Sequence, residues 1–259
     1  MSSETNSGCS PSHFTKVLVS STDLRSVSAE VSNTCEKSIL SISVVENITK
    51  FLCSYMVLFN GPTYSSANGG AIVFDGVNDY GRINSFSADS NPALSVFCWI
   101  YPKNLTSEQF GGNYLNWIIN KRNIIEPNSN SCQLSALNSY PVVNMWDSNN
   151  TAIAPSPTEI IAPNSTSAFQ LNRWYYTGFT TDGTNGGSLK IYINDSVNYS
   201  GTLTGNRGIA TKPIDIGKTG WFDSFFWNGN ISQVSIYNRA LTASEIQQNF
   251  NALRGRFGI

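Results

Sequence analysis

The run Leu94–Tyr101 limits what this chain can fold into more than any other stretch. Leu94, Val96, Cys98 and Ile100 share one side of a period-two pattern, and Phe97, Trp99 and Tyr101 share the other, so both faces are apolar. A strand of this kind is stable only at the centre of a sheet, with a layer packed on each side.

Turn signals recur regularly from Asn60 onward. Asn60-Gly-Pro and Asn68-Gly-Gly bracket Thr63-Tyr64, and Ala71–Asp75 and Tyr80–Ile83 read as strands around a turn at Gly76–Asn78. Trp117–Lys121 and Val142–Trp146 are further strands, separated by a polar loop from Asn123 to Ser139. Asp147–Ser167 reads as a long polar excursion with a brief strand at Glu159–Ala162. Trp174–Thr180 and Leu189–Ile193 flank Asp182-Gly-Thr-Asn-Gly-Gly187, a hairpin signal, with Leu189, Ile191 and Ile193 inward and Lys190 and Tyr192 outward. Ile214–Ile216 follows, then the aromatic segment Trp221–Trp227.

Near the C-terminus Ile231–Tyr237 alternates, with Val234 and Ile236 on the core face. Thr242-Ala-Ser-Glu245 is a capping box, and Leu241 and Ile246 stand where a hydrophobic staple forms around it. Ile246, Phe250 and Leu253 continue one helical face, and Gly255 offers a stop. Short strands spaced by about 8–12 residues, closed by a single helix, predict an all-β, two-sheet antiparallel sandwich. The lack of intervening helices excludes a parallel βαβ architecture.

Composition narrows the partners. Charged residues make up 13% of the chain and its net charge is -1, which gives no electrostatic reason to expect nucleic acid. The longest apolar run, Phe51–Phe59, is too short to cross a membrane as a helix and too far inside to read as a signal peptide. Five cysteines without C-x-x-C spacing point away from zinc, redox pairs and a disulfide framework, and towards a reducing compartment. Residues 1–58 are Ser-rich and lack Gly after Gly8. They read as an anchoring or accessory segment, an extra strand layer or a partly disordered stretch, with residues 59–259 as the folded domain.

Ala71-Ile-Val-Phe-Asp-Gly-Val-Asn-Asp-Tyr80, then Leu94–Tyr101, then Asn172-Arg-Trp174 through Asp182-Gly183 to Asn194, then Asn228–Leu241, resemble in their order the laminin-G-like, concanavalin A-type jelly-roll family. The resemblance covers residues 60–259. The phrases NGPTYSSANGG, FNALRGRFG and NGNIS are most similar to versions that tailed bacteriophages carry on their virions. The resemblance implies a jelly roll on the virion surface, as head decoration, head fibre or tail-associated adhesin. It would be present in many copies or as a homo-oligomer, attached to other virion proteins through residues 1–58 and free to bind host or environmental glycans. A ligand-free decoration protein and a secreted bacterial carbohydrate-binding module, hence an extracellular location, stand as alternatives.

Two departures from the family pattern matter. Phe51–Leu58 stands where members carry a Gly/Asn-rich segment, so the edge strand from that region is supplied differently or is absent. Ser232-Gln233 stands where many members carry acids, and in related jelly rolls an acidic pair near that strand helps hold a structural calcium.

No catalytic set is expected. His13 is alone, which rules out a Ser-His-Asp arrangement, and the closely spaced acids of glucanases sharing this fold have no counterpart here. Asp75 and Asp79 flank a tight turn and are the candidates for calcium, though two carboxylates fall short of the usual 6–8 oxygens and both fit plain turn formers. Trp221, Phe222, Trp227 and Asn228 are candidates for a neutral sugar, with Asn144 and Trp146 as a second group, because sugars need an apolar platform beside amide donors and acceptors. The competing role for the aromatics is core or subunit contact.

Overall fold

The structure, a computed structural model, describes residues 42–45, 56–83, 91–106, 108–110, 112–121, 132–149, 151–153, 167–209, 213–219 and 223–259. Its strands are β1 (Ile42–Val45), β2 (Val57–Phe59), β3 (Thr63–Ser65), β4 (Ala71–Asp75), β5 (Tyr80–Ile83), β6 (Leu94–Asn104), β7 (Gln109–Phe110), β8 (Asn113–Lys121), β9 (Cys132–Leu137) and β10 (Tyr140–Met145). They continue as β11 (Tyr175–Thr181), β12 (Ser188–Ile193), β13 (Ser196–Thr202), β14 (Ile214–Ile216) and β15 (Asn228–Tyr237), before helix α1 (Ala243–Leu253).

These strands form two stacked sheets. The first runs β13-β12-β11-β6-β15-β4-β3, with β1 added in parallel beside β15; the second runs β10-β9-β8-β14-β5-β2, with β7 beside β8. Apart from β1 all pairings are antiparallel, so the expected jelly-roll sandwich with one short C-terminal helix is the architecture found. β2 supplies the missing edge by pairing with β5 and spans the division placed at residue 59. The brief strand expected at Glu159–Ala162 lies outside the described residues.

The inner faces meet in one apolar cluster that includes Phe74, Val96, Cys98, Ile100, Leu134, Met145, Phe179, Ile191, Ile216 and Trp227. Burial of this surface is the main force holding the layers together. Cys98 and Cys132 lie inside it, and burial pushes the Cys98 thiol far up, which leaves it an inert hydrophobe. Two strands differ from the sequence reading. β9 lies inside the stretch read as a polar loop, because its outward Gln133 and Ser135 mask an inward Cys132-Leu134-Ala136 set. β13 was unmarked because its sequence, SVNYSGT, is polar and mostly exposed. In β15, Ile231 and Val234 both face the core despite their odd spacing. A bulge between Ser232 and Ser235, with Gln233 at φ 39°, resets the phase.

The outer face of the first sheet is covered as well. Trp99 stacks on Phe257 at 4.2 Å and on Phe250 at 5.8 Å, and Phe97 stacks on Tyr176 at 5.0 Å. Tyr192 is buried against Phe97 in this second cluster, a correction to its expected outward exposure: outward on this sheet means under an aromatic layer. A Cβ at Gly178 would come within 2.1 Å of the Val96 carbonyl, so glycine is what lets β11 and β6 meet here. The helix presses Ile246 and Phe250 into the cluster, and both arms of its capping box form: Thr242 Oγ1 accepts the Glu245 N–H at 3.3 Å, and Glu245 accepts the Thr242 N–H at 2.9 Å. Gly255 is not the stop. A 3₁₀ turn, Arg254–Phe257, continues the chain and Gly258 ends it at φ 74°. That turn aims the Arg256 guanidinium at the carbonyls of Asn68, Gly69 and Gly70, clasping the C-terminus to the loop before β4.

Two outcomes follow from this packing. Trp99→Ala should cost about 3–5 kcal/mol in urea unfolding, the range for emptying a buried aromatic site, and a loss under about 1 kcal/mol would mean that the helix layer is not a packed core. The Arg239 guanidinium, with the Thr242 N–H, holds the Glu245 carboxyl down at about 2, below its ordinary 4.5. A folded value below the unfolded one gives stabilisation that is complete above about 4.5 and is lost as pH falls towards 2. The pair is partly exposed, so its share is small, below about 1 kcal/mol. Glu245→Gln should therefore show a shallower decline in stability between pH 5 and pH 2.5 than the wild type, and identical slopes would remove Glu245 from this role.

Candidate functional site

The outer face of the second sheet carries polar side chains at low exposure. Cross-strand register aligns a polar row on it: Asn144 pairs with Gln133, Gln133 with Asn120, Asn120 with Asp215 and Asp215 with Arg82. Directly paired residues share a face, so these five side chains line up across β10, β9, β8, β14 and β5. Four inter-strand steps of about 4.8 Å make the row about 19 Å long. Beside it, Leu115, Trp117, Leu137 and Val142 form an apolar patch, and Phe225 packs against that patch.

Along the row only the Arg82 side chain is appreciably exposed. Arg82 grips Asp215 through two hydrogen bonds, at 2.6 and 2.9 Å, with side-chain exposures of 30% and 5%. Burial pushes the Asp215 carboxyl up despite Arg82, and the hydrogen bond to Asp215 pushes the guanidinium up. Past Asp215 exposure falls to 1% at Gln133 and 2% at Asn144. Phe59 and Tyr80 stack at 4.6 Å beside Arg82, where the Lys218 ammonium lies 4.2 Å from the Tyr80 ring centre and pairs with Asp223.

Gln133 donates to the Asn120 amide oxygen, which fixes the orientation of both amides. Its own oxygen, Oε1, has no hydrogen-bond partner, and neither do Asn144 Nδ2 and Oδ1, Ser135 Oγ or Trp117 Nε1. Among the described residues these are five of the nine buried side-chain atoms in that condition, and all five lie on this one face. Burying an amide without partners costs about 1–3 kcal/mol, so the cluster is a standing expense that packing alone does not explain.

The structure joins the two groups of sugar-contact candidates only in part. Asn144 lies in the row, and Phe225, a neighbour of the aromatic candidates, covers the patch next to it. Glu108 holds that segment in place: its carboxylate accepts the N–H of Phe225 at 2.5 Å and of Phe226 at 3.4 Å, while the Phe225 carbonyl accepts the Trp117 N–H. Trp227 is fully buried between the sheets, so its ring offers no platform to a sugar. Asn228 donates to the Asp75 carbonyl at 2.8 Å, on the opposite sheet. Trp146 is buried at the end of β10, bridged to Ala152. Trp221 and Phe222 lie outside the described residues. Gln133, Asn120, Ser135, Asp215 and Arg82 were not singled out from sequence; the signal for them is register, which the sequence does not print.

The calcium candidates behave as turn formers. Asp75 Oδ1 accepts the N–H groups of Val77 and Asn78, and Asp79 Oδ2 accepts the Asp75 N–H at 3.0 Å. Burial pushes the Asp79 carboxyl up. Next to β4, the Ser232 hydroxyl donates to the Gly70 carbonyl, and the carbonyls around it receive Arg256. No three His, Cys, Asp or Glu side chains converge among the described residues. A shallow concavity of about 240 Å³ at the β12–β13 turn, lined by Asn194, Asp195 and Ser196, holds none of the expected site residues.

A family model described as the concanavalin A-like lectin/glucanases superfamily matches residues 75–247. The chain belongs to this family. Similar solved structures share the fold: the botulinum neurotoxin type G receptor binding domain (16% identity, TM-score 0.54, covering 77% of this chain and 46% of that one) and the binding domain of Paraclostridial Mosquitocidal Protein 1 (16%, 0.57, 77% and 47%). A third is domain 4 of AbnA, an extracellular GH43 arabinanase from Geobacillus stearothermophilus, in complex with arabinotriose (19%, 0.50, 75% and 87%). The chain thus spans about half the length of the first two. No curated protein matches it. The lectin-like domain therefore has binding domains as its structural neighbours.

If the Asn144 amide is kept for a ligand rather than for stability, removing it should not harm the free protein. Asn144→Leu should leave the melting temperature unchanged or raise it, by the equivalent of about 1 kcal/mol, because an unsatisfied buried amide is replaced by an apolar group of similar size. A loss above about 2 kcal/mol would assign Asn144 a structural role instead.

Proposed function

We propose that this chain is a non-catalytic, glycan-binding jelly-roll module displayed in many copies on the surface of a phage particle. The observation that carries the glycan reading is the uncharged amide row with its unpartnered buried atoms beside an apolar patch. That pairing of donors and acceptors with apolar surface is what sugar hydroxyls and C–H faces require. The name of the arabinanase domain, a complex with arabinotriose, and those of the receptor and binding domains of the toxins support the same class.

The carboxylates bordering the face favour binding over hydrolysis. Asp215 is gripped by Arg82, Asp223 by Lys218, and Glu108 by two backbone N–H groups. Glycoside cleavage needs a carboxylate pair free to give and take protons across one bond. The virion assignment rests on the likeness of NGPTYSSANGG, NGNIS and FNALRGRFG to phage-borne jelly rolls, with residues 1–58 as the attachment to other virion proteins. Display in many copies makes weak single sites sufficient, since avidity gains about 10²–10⁴ without new contacts.

A glycan array probed with the full chain, free and clustered on beads, tests the binding reading. Clustered protein should retain at least one neutral glycan and the free protein should bind the same glycan more weakly. Failure of both forms on every glycan would leave a purely structural decoration protein. Peptides of the chain should occur in purified virions by mass spectrometry, and their absence would overturn the virion assignment alone.

A further inference from the structure

We propose that the turn between β12 and β13 carries a second binding site, for a single sugar unit bearing a protonated amine, with Asp195 as its counter-charge. This goes beyond the neutral-glycan reading and uses none of the residues that carry it.

The turn borders a concavity of about 240 Å³, lined by every residue from Ile193 to Asn198 and by Ser167. Asn194 and Asp195 are the two-residue link between the strands, and Asn194 sits in the left-handed region at φ 57°. Two hydrogen bonds pin the link. The Asn194 N–H donates to the Tyr176 carbonyl at 2.6 Å, and Asn194 Oδ1 accepts the Tyr176 N–H at 3.2 Å. With its oxygen taken, Asn194 has its NH₂ group to offer. A bulge then leaves Asn198 as the extra residue opposite the Ile191–Tyr192 step. Bulges re-aim side chains, and this one contributes an amide, 6% exposed, to the lining beside Ile193. The other lining groups are reachable: Ser167, Ser196 and Val197 are exposed, and Asn194 and Asp195 are half-buried.

Charge selects the ligand. Asp195 is the one charged residue of the lining, and among the described residues it makes no ion pair. Its hydrogen bond from Ser196 Oγ, at 3.5 Å, is long for a hydroxyl donor. By contrast, Asp215, Asp223 and Glu245 each hold an arginine or a lysine. A carboxylate only accepts, so the ligand must donate to it. A uronic acid, sulfate or phosphate would bring a second negative charge and no donor. An ammonium supplies the missing positive charge and three N–H donors. The Asn194 NH₂ and the hydroxyls of Ser167 and Ser196 suit the hydroxyls of a sugar ring, and Ile193 and Val197 suit its C–H groups. The volume lies below the roughly 300–1,000 Å³ of sites for drug-sized ligands, which fits one ring rather than an oligosaccharide.

The test is a titration of ¹⁵N-labelled full-length protein with glucosamine, N-acetylglucosamine, glucose and methylamine, at about pH 6, where the amines are protonated. Glucosamine should saturably shift the backbone amides of residues 194–198 and bind about 10-fold or more tightly than each of the other three. The side-chain NH₂ signals of Asn144 and Gln133 should stay in place. Asp195→Asn should keep the wild-type melting temperature and lose the preference for glucosamine over glucose. Equal affinity for N-acetylglucosamine or glucose would overturn the role of the ammonium, and equal affinity for methylamine would overturn the role of the ring. Shifts confined to other residues, a preference that survives Asp195→Asn, or no binding of glucosamine would overturn the site. None of these results bears on the neutral-glycan reading, which the array tests separately.

Discussion

Everything in this fold depends on β6 being covered on both faces. Leu94, Val96, Cys98 and Ile100 meet the second sheet, while Phe97 and Trp99 meet an aromatic layer closed by Ile246, Phe250 and Phe257. The C-terminal helix is small, but the rings it seals are among the largest buried side chains in the domain. Its capping box, and the Arg256 clasp on the loop before β4, fix where that layer sits. A packed aromatic face of this kind has no room for a ligand.

The second sheet is built differently. Its inner face is as apolar as that of its partner, but its outer face carries amides, a hydroxyl and an ion pair at low exposure. Elsewhere local and tertiary preferences agree: strands alternate, turns carry Asn and Gly, and the helix is capped at its start. At Asn144, Ser135 and the Gln133 amide oxygen they do not, because these polar atoms are buried without partners. Five of the nine unpartnered buried side-chain atoms among the described residues gather on this face, while Trp99, Trp227, Asn230 and Gln233 hold the other four.

How much of this was legible in the sequence varied with the range of the signal. Leu94–Tyr101, the hairpin around Asp182–Gly187 and the Thr242–Glu245 box are local patterns with local causes, and each was readable. β9 was not, because its apolar half is made of Cys132, Leu134 and Ala136, which are modest in bulk and interleaved with polar residues. The bulge at Ser232–Ser235 was hidden because the strand alternates on either side of it, and only pairing shows the phase change. The site was the hardest to read. Asn144 was named from its neighbourhood, but the row it belongs to is assembled from β10, β9, β8, β14 and β5, and no window of sequence contains them together. The aromatic segment drew attention for its density, yet Trp227 went to the core, as large rings do when burial is available.

The central claim is that the buried amides of the second sheet are held for a ligand. The most direct measurement is the side-chain amide NMR spectrum of ¹⁵N-labelled full-length protein titrated with the glycan that binds most tightly. The NH₂ signals of Asn144 and Gln133 should move and slow in exchange with solvent on saturation, while that of Asn228, hydrogen-bonded to Asp75 on the other sheet, stays in place. Saturation binding that leaves the Asn144 and Gln133 signals unmoved would place the ligand elsewhere and contradict the account.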